Sequence, residues 1–169
     1  MTTSTDINPD RPLIVGSSSP ETPYPIPVSG TVVKGFGRGS KELGIPTANM
    51  SDEALEAMFT ECETGVYYGW AQVGEVKSTV YPMVMSLGWN PYYQNERKSA
   101  EVHIIHQFDK DFYGEAIRII VAGYIRPEQN YPSLDALIRD IKTDIEVAKH
   151  SLKREAYSNL RNHPLFNSN

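Results

Sequence analysis

Between Val28 and Arg126 the chain repeats one pattern, a short β-branched or aromatic run broken by glycine or polar residues. The runs are VSGTVVKG, GVYYGWAQV, STVYPMVMSLGW, SAEVHIIHQF and EAIRIIVAGYIR. Segments of this length, rich in Val, Ile, Tyr and Trp and bounded by Gly, predict strands. The segment DKDFYG between the last two reads as a turn. Five or six strands with hairpin-length connections predict an antiparallel sheet or barrel. Residues 52–61, DEALEAMFTE, predict a short helix.

The C-terminal part changes period. In PSLDALIRDIKTDIEVAKHSLKREAY the apolar positions Leu134, Leu137, Ile138, Ile141, Ile145, Ala148 and Leu152 recur at three- and four-residue spacing. That spacing is one face of a helix. Ser133 suits the N-cap, and Asp135 sits near the positive end of the helix dipole. Lys149, His150, Lys153 and Arg154 gather toward the other end. The predicted architecture is a β-barrel with a long C-terminal helix packed on it. Ser, Thr and Pro dominate residues 1–24, which predicts a flexible arm. The barrel and helix are expected over residues 25–162 with a tail at 163–169, and no internal repeat or second domain is seen.

A length of 169 residues with 40% hydrophobic positions supports one domain with a substantial core. The net charge of −5 speaks against a broad nucleic-acid surface. A single cysteine, Cys62, can form neither an internal disulfide nor a metal cluster by itself, a usage that suits a reducing compartment. No run reaches the length of a transmembrane helix, and the N-terminus lacks the charged-then-apolar order of a secretory signal. The expectation is a cytoplasmic monomer with no membrane insertion, no nucleic-acid ligand and no obligate protein partner.

The segment KGFGRGSKELGIPTANM holds four glycines, with Lys34, Arg38 and Lys41 interleaved. A Walker A loop requires glycine directly before its lysine, and Ser40 stands there. Ser40 also takes the place of the third glycine of the dinucleotide fingerprint, and Gly44 and Pro46 prevent the helix that should follow. Anion binding here would have to come from the loop's own amides. A hairpin connection with solvated charges is the other reading.

In the following IPTAN, Thr47 and Asn49 face one side of an extended strand. As neutral oxygen donors they could complete a magnesium shell that already holds phosphate oxygens. A turn-like hydrogen-bond pair after Pro46 is the alternative. In EVHIIH, alternation puts Glu101 and His103 on one face and Val102, Ile104 and His106 on the other. Glu101 could be a general base, a rim residue or half of a salt bridge. A zinc site at His103 and His106 is disfavoured, because the two point to opposite faces and no third ligand is near in sequence. GWNPYYQNERK is an aromatic, polar loop able to cover a flat ring, and Arg126 stands between the last strand and the helix.

Taken in order, GFGRGSKELGIPTAN, SLGWNPYY, EVHIIHQFDKDFYGE and GYIRPE before a helix strongly resemble riboflavin kinase of the monofunctional eukaryotic type. The resemblance runs from about Ser29 to Leu152. It implies a six-stranded antiparallel Greek-key barrel with a C-terminal helix, and transfer of phosphate from ATP to riboflavin to give FMN and ADP. It further implies that Gly35, Gly37 and Lys41 hold phosphates and that Thr47 and Asn49 bind magnesium or another divalent ion such as zinc. Glu101 would be the catalytic carboxylate. Ile104, His106 and Tyr113 would surround the nucleotide, and Arg126, Gln129 and Tyr131 would lie on the flavin side. A non-catalytic flavin-binding barrel is the main rival. A bifunctional enzyme that also makes FAD would need a second domain with an HxGH signature, which this sequence does not contain.

Overall fold

The structure, a computed structural model, describes residues 7–33, 47–89, 98–106, 108 and 112–167, with the backbone alone at Trp89 and Lys98. Six strands form a closed barrel: β1 (Ile26–Val33), β2 (Ala48–Met50), β3 (Gly65–Val73), β4 (Tyr81–Trp89), β5 (Lys98–Ile104) and β6 (Ala116–Arg126). Around the barrel the order is β1-β2-β5-β4-β3-β6, and every pairing is antiparallel. The predicted barrel is thus present, with a short helix α1 (Asp52–Glu61) after β2 and a long one, α2 (Leu134–Leu152), after β6.

Alternation along each strand divides the molecule into an interior and an outer face. Inside lie Val32, Ala48, Met50, Met83, Met85, Leu87, Ala100, Val102, Ile104, Ile117, Ile119 and Val121, packed into one apolar cluster. The barrel is therefore filled by its own side chains, as small barrels are. A second cluster lies outside the wall, where Tyr68, Trp70, Val84, Ile120 and Ala122 meet Ala148 and Leu152 of α2 and the C-terminal residues Tyr157 and Phe166. Gly69 permits close strand approach in this wall, since a Cβ there would run into the Ile120 carbonyl.

Helix α2 starts as its sequence predicts, with Ser133 Oγ accepting from Ala136 N at 3.1 Å. Its buried face differs from the predicted apolar stripe. Leu134 is exposed, whereas Thr143, Asp144, Val147, Ala148, Ser151 and Leu152 are buried. The polar members of that face are covered by the N-terminal segment, so its described part, read from sequence as a flexible arm, lies against the helix. Asn8 N donates to Thr143 Oγ1 at 2.9 Å and Val15 N to Ser151 Oγ at 3.1 Å. Arg154 donates to the carbonyls of Val15, Gly16 and Ser17, and the Tyr157 hydroxyl donates to Ser17 O at 2.8 Å. The expected tail is also packed as far as Asn167. Phe166 is fully buried and its carbonyl accepts from Gln72 Nε2 at 3.0 Å.

Candidate active site

The outer face of β2, β5 and β4 carries polar side chains in a row. Strand β2 has three residues, and its alternation buries Ala48 and Met50 while leaving Asn49 half-exposed. Asn49 is paired in register with Glu101 of β5, and Glu101 is paired on its other side with Ser86 of β4. Ser86 faces outward because Met85 and Leu87 fill the interior. One row across three strands therefore reads Asn49, Glu101, Ser86. Thr47, just before β2, turns its hydroxyl onto this row and donates to Glu101 Oε1 at 2.9 Å. Glu101 is half-buried and its neighbours Val102 and Ala100 are core residues. Residues placed far apart in sequence thus meet at one carboxylate.

The expected nucleotide residues gather at one end of the barrel. Strand β5 ends at Ile104, so His106 does not continue the strand face predicted for it. Its N–H closes on Ile104 O at 2.8 Å, and its ring stacks on Tyr81 with centroids 4.0 Å apart and planes at 16°. Phe108 meets His106 edge-on at 4.9 Å and Phe112 at 4.8 Å, extending the aromatic patch. The Ile104 side chain is buried inside the barrel. Tyr113 is exposed on a turn closed by Gly114, whose φ of 85° is a conformation that glycine adopts readily. Gly114 N donates to Val32 O at 2.8 Å, which ties that turn to the end of β1. Gly35, Gly37 and Lys41 lie outside the described residues. Their segment leaves β1 at Val33, which is paired with Asn49, and rejoins at Thr47, so both of its ends adjoin the Glu101 row.

At the other side of the row, β6 ends at Arg126 and a connection of seven residues leads to α2. Arg126 Nε and Nη2 grip the Asp144 carboxylate at 3.0 and 2.8 Å. The guanidinium also lies 5.8 Å from the Tyr131 ring centroid, and the Tyr131 hydroxyl donates to Asp140 Oδ2 in a short hydrogen bond. Burial works against the Arg126 charge but is outweighed by the hydrogen bond and charge of Asp144, so its pKa stands above the ordinary arginine value. Burial would raise the Asp140 pKa, yet the Tyr131 hydroxyl and the Arg11 and Arg126 guanidiniums hold it below the usual range. Burial, then the Asp140 hydrogen bond, push the Tyr131 phenol upward. Gln129 is exposed in the same turn.

Two features of this side carried no role in the sequence reading. Glu128 lies directly over Gly88, where any Cβ would strike its carboxylate. Since Gly88 and Ser86 share a strand face, Glu128 brings a second carboxylate beside the Glu101 row. Partial burial raises its pKa, against the pull of Arg126. Its motif GYIRPE was in view, but only the closure of β4 against the turn after β6 shows what Glu128 covers. The second feature is the pair Asp140 and Asp144, which face two arginines.

Among the described residues no group of three or more His, Cys, Asp or Glu could hold a metal ion. A divalent cation would therefore depend on neutral donors. Thr47 Oγ1 still has a lone pair while donating to Glu101, and the Asn49 amide lies on the same strand face, so the residues fit a hard cation that keeps most of its shell from phosphate and water. No helix among the described residues is long and apolar enough to cross a membrane.

Comparison with known proteins agrees with this fold. Residues 22–152 match the flavokinase family model, described as riboflavin kinase. The chain is 49% identical over 162 residues to a riboflavin kinase of Pyricularia oryzae, covering 87% of this chain and 81% of that one. It is 50% identical over 137 residues to a riboflavin kinase of Mus musculus, covering 81% and 87%. The fold matches the crystal structure of riboflavin kinase from Trypanosoma brucei with a TM-score of 0.68 at 29% identity, over 86% of this chain and 91% of that one. A filled six-stranded barrel, a polar row on its outer wall and matches across most of the chain lead to one conclusion: this chain is a kinase and belongs to the riboflavin kinase family.

Proposed function

We propose that the protein transfers the γ-phosphate of ATP to the ribityl 5′-hydroxyl of riboflavin, giving FMN and ADP, with Glu101 at the point of transfer. The observation that carries this reading is the convergence of Thr47, Asn49 and Ser86 on Glu101 outside the barrel wall. In the reaction the 5′-oxygen forms a bond to the γ-phosphorus as the bond from that phosphorus to the bridging oxygen of ADP breaks. Glu101 accepts the hydroxyl proton. A carboxylate is a weak base for an alcohol. In a loose transition state the nucleophile becomes acidic late, so the carboxylate chiefly orients the hydroxyl and takes its proton at the end. Thr47, by donating to Oε1, fixes the carboxylate rotamer and leaves Oε2 for the substrate.

Magnesium is the cation that the neutral oxygens of Thr47 and Asn49 fit better than zinc. When bound it would offset charge on the phosphate oxygens. Gly35, Gly37 and Lys41 would hold the phosphates from the segment that springs from Val33. The aromatic end formed by His106, Tyr81 and Phe108, with Ile104 closing β5 beneath it and Tyr113 exposed beside it, would receive the nucleotide base. Arg126, Gln129 and Tyr131 would meet the flavin on the opposite side. The base and flavin ends thus flank the Glu101 row, as an in-line transfer between two substrates requires.

The test is direct. Purified protein is mixed with riboflavin, ATP and magnesium, and the flavins are separated by chromatography with fluorescence detection. Magnesium-dependent FMN with an equal amount of ADP is expected. Bound but unconverted riboflavin would instead make the barrel a flavin-binding module.

A further inference from the structure

We infer that Arg11, from the N-terminal segment, is a positioning residue for the flavin side of the site, acting through Asp140 and Asp144 on Arg126 and Tyr131. The inference rests on the proposed reading that Arg126 and Tyr131 meet the flavin. Asp140 and Asp144 are four residues apart on α2 and therefore project from the same face. Arg11 spans both. Its Nη1 donates to Asp140 Oδ1 at 2.6 Å and to Asp140 O at 3.2 Å, and its Nη2 donates to Asp144 Oδ1 at 2.7 Å. From the opposite side Arg126 holds Asp144 through both carboxylate oxygens, with its Nε 3.5 Å from Asp140 Oδ2. The remaining Asp140 oxygen is taken by Tyr131.

Two guanidiniums thus face two carboxylates, and the Asp144 side chain is only 2% exposed. At that depth the charges are weakly screened, and removing one partner leaves an excess charge that the others must redistribute to meet. Without Arg11, both Asp140 and Asp144 would draw on Arg126 alone. Its guanidinium would then slide toward Asp140 and lose the two-pronged grip on Asp144, which is the geometry that fixes an arginine in orientation. In the present arrangement Arg126 Nη1 is on the exposed side, donating to Pro127 O at 3.2 Å.

The consequence spreads along the turn, because Arg126 and Tyr131 anchor its two ends and Gln129 and Glu128 lie between them. Glu128 is the residue that covers Gly88 beside the Glu101 row. Arg11 is itself held in place, since its N–H donates to Asn8 O at 3.3 Å and Asn8 is bonded to Thr143. The N-terminal segment therefore braces the flavin side from behind the helix, although its residues lie far from Glu101 in sequence.

The experiment compares full-length Arg11→Ala, Arg11→Lys, Arg126→Ala and the Arg11→Ala/Arg126→Ala double variant. Riboflavin affinity is read from quenching of flavin fluorescence, and KM and kcat are measured for both substrates. Arg11→Ala should weaken riboflavin affinity about tenfold, with kcat and the KM for ATP within about twofold of wild type. Arg11→Lys should recover part of the loss, and the double variant should be no worse than Arg126→Ala. Unchanged riboflavin affinity in Arg11→Ala, beside a clear loss in Arg126→Ala, would overturn the inference. Full additivity in the double variant would overturn it too. No effect from Arg126→Ala would instead remove the flavin reading on which it rests. Arg11→Gln, which keeps the stem packed, carries the same comparison if the alanine variant yields little folded protein.

Discussion

Thr47 and Glu101 are joined by a 2.9 Å hydrogen bond across the β2–β5 pair, with the threonine hydroxyl donating to the carboxylate. The contact links the residue proposed to orient the substrate with one proposed to hold the cation. Neither can be altered without disturbing the other, so their variants should differ in which measured quantity moves first.

Glu101→Gln keeps the size of the side chain and can still accept from Thr47, but it cannot take a proton. Turnover should fall by about a hundredfold or more, the range for a positioned base. Riboflavin binding should stay close to wild type. Turnover within a few-fold of wild type would strip Glu101 of its role.

Thr47→Ala removes a neutral donor and frees the Glu101 rotamer. The expected result is a raised magnesium requirement, seen as a rightward shift when activity is titrated with metal. A titration curve superimposable on wild type would return Thr47 to a purely local hydrogen bond.

Two glycines should answer alanine in opposite ways. At Gly69 the new methyl meets the Ile120 carbonyl, a backbone atom that cannot step aside, and a loss of about 1–3 kcal/mol is expected. At Gly88 the methyl meets the end of the Glu128 side chain, which can rotate away. Gly88→Ala should therefore melt within a few degrees of wild type while altering the KM for riboflavin. Thermal melts beside kinetics for both variants decide the matter.

The buried thiol of Cys62 makes a pH prediction. Burial, with a smaller contribution from the Glu61 charge, pushes it from 9.0 up to about 11, while a hydrogen bond from Tyr67 works the other way. Burial likewise pushes Tyr24 from 10.0 up to about 12. The folded chain then holds these protons more tightly than the unfolded chain does. Their stabilisation is whole below about pH 9 and is lost as pH climbs through about 11 for Cys62 and about 12 for Tyr24. The melting temperature should decline over that window, and less steeply in Cys62→Ala. A disulfide reagent should react slowly at pH 8, and rapid reaction there would contradict the assignment.

Much of the barrel was legible because strand alternation is a local signal. Val102 and Ile104 inward with Glu101 outward follows from EVHI alone, and the structure keeps it. His106 escaped the same rule because β5 stops at Ile104, and a stacking partner, Tyr81, then captures the ring. The face of α2 was misjudged for a different reason. Thr143, Asp144 and Ser151 are buried by polar contacts with residues 8–15, and nothing in a Ser- and Pro-rich segment shows that its backbone will meet a helix. Glu128 and Ser86 belong to the site only through the register of β4 with β5 and the path of the turn after β6. Those are tertiary facts, without a local periodicity to betray them.

Strand β2 has only three residues between β1 and β5, yet it sets which side chains join the outer polar row. A slip of one position would turn Asn49 into the apolar interior and bring Ala48 and Met50 outside. The core contacts of Ala48 and Met50 therefore act as a ratchet on the chemistry, holding the polar row in phase. A single-residue insertion or deletion inside the strand would break that phase. The shortest strand of the barrel is therefore one whose length is not free to change.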